Sequence, residues 1–202
     1  MKEGFTGEQW REKQYTIADG YTWLQGSLQR VNWTQWIWNI FNIPKHAFIV
    51  WLAVHNRLRT RDKLLQFCLC DSDLCLLSGV VPESNSHLFF YCNYSQWCLK
   101  SLCSWLGFES GHFSIATAWK HWKRRCTDIV EKKTTLATLT TVPYHIWMAR
   151  NEAYWNGVVI HPRVLCKKVR LEIMDKCHQL ISKSWSRAQC FGCGVLFGLQ
   201  TM

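Results

Sequence analysis

The chain has 202 residues, of which 48% are hydrophobic and 13 are tryptophan; this excludes a disordered polymer and is enough to bury a core. The formal net charge is +10 and is unevenly spread: residues 111–202 hold 14 basic against five acidic side chains, residues 1–110 ten against nine. The 11 irregularly spaced cysteines and the polar opening MKEGFTGEQWREKQ argue against secretion, and no apolar run is long enough for a membrane span. A reducing compartment, cytosol or nucleus, is the expected setting.

Residues 1–14 read as a flexible tail. Ile17, Tyr21, Leu24 and Leu28 then recur at helical spacing, with Thr16 or Asp19 as cap, weakened by Gly20 and Gly26. Trp33, Trp36, Ile37, Ile40 and Phe41 predict a short amphipathic helix. Pro44 starts the next helix, since proline suits the first helical turn. Ala47 to Val54 is apolar on all sides, which predicts a helix buried on most of its surface and ended at Asn56-Arg57. Thr60 is the expected N-cap of a helix over Arg61–Phe67, with Asp62 near its positive end.

Residues 70–92 carry the chemistry. Cys75, His87 and Cys92 follow the order of a small zinc site: a knuckle cysteine, a loop, then a histidine and a cysteine with four residues between them. Tetrahedral sites of this kind take four soft or imidazole ligands, and a Cys-x-x-Cys knuckle would need cysteine at 78, where this chain has Ser78. Cys70 is the nearest substitute and Cys68 the second. Three ligands with an open position also describe a catalytic zinc site, but only Glu83 stands nearby as a general base. The competing reading makes these cysteines small buried hydrophobes.

Tyr94, Trp97, Cys98, Leu102, Trp105 and Leu106 then form a helical stripe ended by Gly107, and Cys98 and Cys103 belong to that helix rather than to a metal. Residues 107–114 read as a linker, and Ser114 as the cap of a helix over Ile115–Lys123. Residues 134–156 predict a helix kinked at Pro143 and closed by Gly157. Beyond it, Arg163, Lys167 and Arg170 fall on one helical face and Leu165, Val169, Ile173 and Leu180 on another. The tail at 186–202 has no helical period, and Cys190 and Cys193 lack a matching second pair.

Nearly every periodic segment has a period near 3.6, so the predicted fold is all-α or mostly α: a small helical zinc-finger-like module at 15–107 followed by a basic helical extension at 115–185. Arg57, Arg59, Arg61 and Lys63 cluster at one helix junction. With Arg163, Lys167 and Arg170 they are the candidate phosphate contacts of a nucleic-acid partner; the alternative is solvated surface charge. No membrane partner is expected, an ordinary surface helix being the simpler account of the basic amphipathic one.

These residues carry a family resemblance. IWNIFNIPKHAFIVWLAVHNRLRTRDKLL, then CLLSGVVPESNSHLFFYCNYS, then WLG, resembles the zinc-binding domain of plant non-LTR, LINE-type, retrotransposon reverse transcriptases. The family's Pro-Lys-x-x-Phe is met by Pro44, Lys45 and Phe48, its Trp-Leu helix by Trp51 and Leu52. Asn56, Arg57, Leu58, Thr60, Arg61 and Asp62 match the following Asn-Arg-Leu-x-Thr-Arg-Asp. Cys75, Glu83, His87, Leu88, Phe89 and Cys92 match the cysteine–histidine part, and Ser78 departs from it at the second cysteine. YHIWMARNEAYWNG resembles the segment that follows this domain in such polyproteins.

The resemblance implies a retrotransposon-derived, non-catalytic module that helps hold RNA or target DNA, with zinc as cofactor. Polymerase chemistry in that family needs paired aspartates, and the chain has no Asp-Asp pair. Two other functions stay open: a protein-interaction domain that has lost zinc and nucleic acid and docks through its tryptophans, and an enzyme built on an open metal site.

Overall fold

The computed structural model describes Thr16, Asp19, Gly20, residues 34–107, Arg124 and residues 129–180. The expected helix at 17–28, most of the linker at 107–114, the helix at 115–123, Trp33, and the tail with Cys190 and Cys193 lie outside the described residues. The chain divides into two compact units, Met1–Thr34 and Gln35–Met202. In the first, Thr16 Oγ1 accepts the Asp19 N–H at 3.2 Å and donates to Asp19 Oδ2 at 2.7 Å, the cap expected of Thr16.

The described residues are all-helical, without a strand. The helices are α1 Thr34–Ile37, α2 Pro44–Val54, α3 Arg61–Gln66, α4 Asn93–Trp105, α5 Ile129–Asn156 and α6 Pro162–Leu180, with a π turn at His87–Tyr91 leading into α4. No described helix is long and apolar enough to cross a membrane. All eight described cysteines are free thiols.

Sequence decides where these helices start and stop. α1 is shorter than the apolar spacing predicts: Asn42 Nδ2 donates to Ile37 O at 2.6 Å and Phe41 N donates to Asn39 Oδ1 at 2.8 Å, so the chain turns there. Ile40 is left 66% exposed beyond the helix instead of on its buried face. α2 begins at Pro44 as expected, but it is buried on one side only, through His46, Ala47, Val50 and Ala53; Phe48 faces out at 51% exposure. Its end is a Schellman turn. Asn56 adopts φ 52, its N–H donates to Ala53 O, and Arg57 N donates to Leu52 O at 2.8 Å.

That turn makes a prediction. A left-handed φ costs an alanine about 1–2 kcal/mol, and the Asn56 side chain also accepts Lys63 Nζ at 2.9 Å. Asn56→Ala is therefore expected to lower stability by about 1–2 kcal/mol, and Asn56→Gly, free of the steric part, by less. Thermal unfolding of the two variants reads the difference; equal losses would place the whole effect in the Lys63 bond.

The second half is built around α5. It runs unbroken through Pro143, with no division into two helices, and Thr134 to Pro143 are buried on every side. α5 packs against α2 and α6, and α6 also packs against α4. The expected inner face of α6 is present in buried Leu165, Val169 and Ile173, joined by Cys166 and Cys177. One hydrophobic core takes in Ala53 of α2, Leu88 and Phe89 of the π turn, Cys98 and Leu102 of α4, Val142 and Ile146 of α5, and Val169 of α6. Cys98 and Cys103 lie buried on α4, as small apolar side chains do.

Candidate metal centre

Two local structures bring the candidate ligands together. Residues 73–83 form a narrow loop: Cys75 N donates to Val81 O at 2.8 Å, Gly79 N to Cys75 O at 2.7 Å and Glu83 N to Asp73 O at 2.6 Å. Gly79 makes the turn at φ 70, where a side chain would be strained. Hydrogen bonding from the Ser78 hydroxyl and from the Leu77 and Ser78 amides favours a thiolate at Cys75. The other half is the π turn, in which Cys92 N donates to His87 O at 2.7 Å. Five residues at 3.6 per turn would leave His87 and Cys92 about 140° apart around a helix. An i→i+5 hydrogen bond makes them neighbours one turn apart.

The ligand atoms of Cys75, His87 and Cys92 consequently lie within 4.8 Å of one another, with Cys75 and Cys92 buried and His87 nearly so. The two sulfurs are 3.9 Å apart. Zinc–sulfur bonds of about 2.3 Å at a tetrahedral angle separate two thiolates by about 3.8 Å, so the pair already stands at a zinc-binding distance. One of the two thiols donates to the other sulfur. Hydrogen bonds from Cys92, the Ser78 hydroxyl and the Leu77 and Ser78 amides lower the Cys75 thiol, and the hydrogen bond with Cys75, together with burial, raises Cys92. One of the two thiolates a metal needs is thus stabilised in advance.

Ser78 stands beside this group. Its Oγ lies 3.4 Å from His87 Nε2, and its hydrogen bonding helps to lower the Cys75 thiol. Cys70, the expected substitute, is placed elsewhere. The Cys70 thiol donates to Ser72 O at 3.3 Å and to Arg61 O at 3.7 Å, and it is not among the converging side chains. Cys68, the second candidate, is the exposed, left-handed residue that ends α3, at φ 54. These residues fit a zinc ion with three protein ligands and one neutral oxygen or water.

The Glu83 carboxylate is held through one oxygen, and its Oε2 has no hydrogen-bond partner. It is fully buried, and its Oε1 accepts Arg150 Nε and the Arg61 amide, each at 2.9 Å. It thereby supplies the α3 cap expected from Thr60, whose side chain makes no capping bond and donates to Asp62 instead. Burial raises the Glu83 carboxyl, opposed by the Arg150 charge and the Arg61 amide.

The candidate phosphate contacts divide into two groups. Arg57 and Arg59 are exposed between α2 and α3, Arg57 with its guanidinium 5.6 Å from the centroid of the Trp51 ring. Arg163 and Lys167 are exposed one turn apart on α6. The other three are engaged inside the molecule. Lys63 Nζ donates to Asn56 Oδ1 and Leu58 O, both at 2.9 Å, and Arg61 Nη1 to Leu74 O at 3.1 Å. Arg170 Nη2 donates to Ser101 O and Oγ at 3.2 Å and lies over Trp105, so it docks α6 on α4.

Residues 15–98 match the family model described as zinc-binding in reverse transcriptase. The matched stretch contains Cys75, His87, Cys92 and the serine at 78, and leaves α5 and α6 outside it. Neither the curated proteins nor the solved structures gave a match.

Proposed function

We propose that the chain is a retrotransposon-derived accessory module of a LINE-type reverse transcriptase, of the kind found in plants, that binds zinc and holds nucleic acid without catalysing its synthesis or cleavage. The observation that carries this reading is the convergence of Cys75, His87 and Cys92 inside the very stretch that matches the reverse-transcriptase zinc-binding family. Zinc on those three side chains would fasten the 73–83 loop to the π turn and the start of α4. The absence of an Asp-Asp pair supports a role without phosphoryl transfer.

The contact surface is drawn from the four exposed candidates: Arg57 and Arg59 between α2 and α3, Arg163 and Lys167 on α6. Phosphate contacts release counterions, so binding to single- or double-stranded RNA or DNA is expected to weaken linearly in log–log form as salt rises. The Arg163→Glu, Lys167→Glu double variant is expected to bind at least tenfold more weakly, with a salt slope smaller by about two. Unchanged affinity and slope would remove α6 from the contact surface.

A protein-interaction role is the second reading. It is favoured by the inward turn of Arg61, Lys63 and Arg170 and by the apolar run around Trp155, Val158 and Val159, where Trp155 is 76% exposed. Binding that does not respond to salt, or no binding to any nucleic acid, selects it.

A further inference from the structure

Away from the cysteine centre, α2, α5 and α6 each send one metal-ligating side chain to a common point. His46 comes from α2, His145 from α5 and Glu172 from α6, and their ligand atoms lie within 4.8 Å of one another. His46 Nε2 is 3.4 Å and His145 Nε2 2.9 Å from the same carboxylate oxygen, Glu172 Oε2. We propose that these three residues form a second metal site, which takes a zinc-class divalent cation on two imidazole nitrogens and one carboxylate oxygen.

Four observations support it. First, His46 is completely buried, yet its Nε2 has no hydrogen-bond partner and points at Glu172. A buried polar atom without a partner is costly, and a lone pair there asks for a proton or a metal. Second, the His46 ring is already oriented: Nδ1 pairs with Thr141 Oγ1 at 3.2 Å, and the Tyr144 ring stacks on it at 4.0 Å. Metal-binding histidines commonly use their other nitrogen in this way. Third, ligand atoms about 2.0–2.1 Å from a tetrahedral zinc stand about 3.3–3.4 Å from each other, the spacing of His46 Nε2 and Glu172 Oε2. The His145–Glu172 contact is a hydrogen bond and must open by a few tenths of an ångström, its imidazole proton moving from Nε2 to Nδ1 as the metal takes Nε2. Fourth, the Glu172 side chain is 25% exposed. An ion has a way in, and a fourth ligand has a place to bind.

Two imidazoles and one carboxylate with an open position is a zinc donor set, and imidazole also suits cobalt and nickel. Burial first, and then the neighbouring His145, Lys45 and Lys168, disfavour a positive charge on His46. The two lysines weaken the site for every cation and confine it to metals that bind imidazole strongly; magnesium and calcium are excluded by their preference for oxygen. Bound metal would join three helices that meet here through packing and the His46–Thr141 and His145–Glu172 hydrogen bonds.

The test is a cobalt titration of the full chain after its metal has been removed with chelator. Cobalt on thiolates gives an intense near-ultraviolet charge-transfer band, and cobalt on nitrogen and oxygen gives visible d–d bands only. A second equivalent is expected that adds d–d absorption without charge transfer. Glu172→Gln keeps the shape of a part-exposed side chain and is expected to weaken that equivalent more than ~100-fold while the charge-transfer band stays. Thr141→Val leaves all three ligands in place and is expected to weaken it ~10–100-fold, the usual loss when a ligand's outer hydrogen-bond partner is removed. A single equivalent with thiolate character, or a second equivalent with unchanged affinity in both variants, overturns the proposal. Only d–d absorption, sensitive to Glu172→Gln, supports this site and counts against the cysteine centre, so the two fail separately.

Discussion

Replacing Arg150 with alanine is expected to lower the stability of the chain by about 3–5 kcal/mol, a large share of the 5–15 kcal/mol a domain usually has. Arg150 is 3% exposed and its Nε lies 2.9 Å from Glu83 Oε1, itself fully buried. Removing the cation leaves a carboxylate without water and without a counter-charge. The guanidinium also lies 5.1 Å from the Trp147 ring centroid and 5.0 Å from that of Tyr154, contacts that disappear with it. Glu83 cannot simply go in its place. Its Oε1 holds the Arg61 amide at the start of α3, so Glu83→Ala adds the loss of a cap, about 1 kcal/mol. Glu83→Gln with Arg150→Met keeps the acceptor and removes both charges, and is expected to be far milder than Arg150→Ala. Urea midpoints for the three variants test this ordering; a loss under about 1 kcal/mol for Arg150→Ala would mean that water reaches the pair.

Ser78→Cys is expected to raise zinc affinity on the order of 100-fold or more, since it completes a three-cysteine, one-histidine tetrahedron. The backbone is already prepared for it. The Ser78 hydroxyl lies 3.4 Å from His87 Nε2 and helps to lower the Cys75 thiol, and Gly79 takes the left-handed turn directly after it. At fixed free zinc, hundredfold tighter binding adds about 2.7 kcal/mol to the stability of the folded form. Competition against a coloured chelator measures the affinity and thermal unfolding in buffered zinc measures the linkage. Equal affinity in the serine and cysteine chains would show that position 78 points away from the ion.

The helices were largely legible because their signals are local. Pro44, Asn56, Gly107 and Gly157 mark boundaries through backbone conformations that need only the residue itself, and the inner face of α6 follows from the spacing of Leu165, Val169 and Ile173. The order of Cys75, His87 and Cys92 was legible for the same reason. What was not legible depends on where distant segments meet. Cys70 has a spacing that zinc sites allow, but the loop after α3 directs its thiol to Ser72 and Arg61 carbonyls. Glu83 caps a helix that begins 22 residues earlier and pairs with an arginine 67 residues later. Lys63 and Arg170 looked like surface cations because nothing local reveals that carbonyls from other turns await them. His46, His145 and Glu172 gave no sequence signal at all: only the packing of three helices makes them neighbours.

The cysteine centre is the premise of the functional reading, and cobalt absorption of the full chain tests it most directly. One equivalent of cobalt should produce a thiolate charge-transfer band that disappears in Cys92→Ser and persists in Cys70→Ser. A band absent from the unaltered chain, or one lost with Cys70 and kept without Cys92, would contradict it.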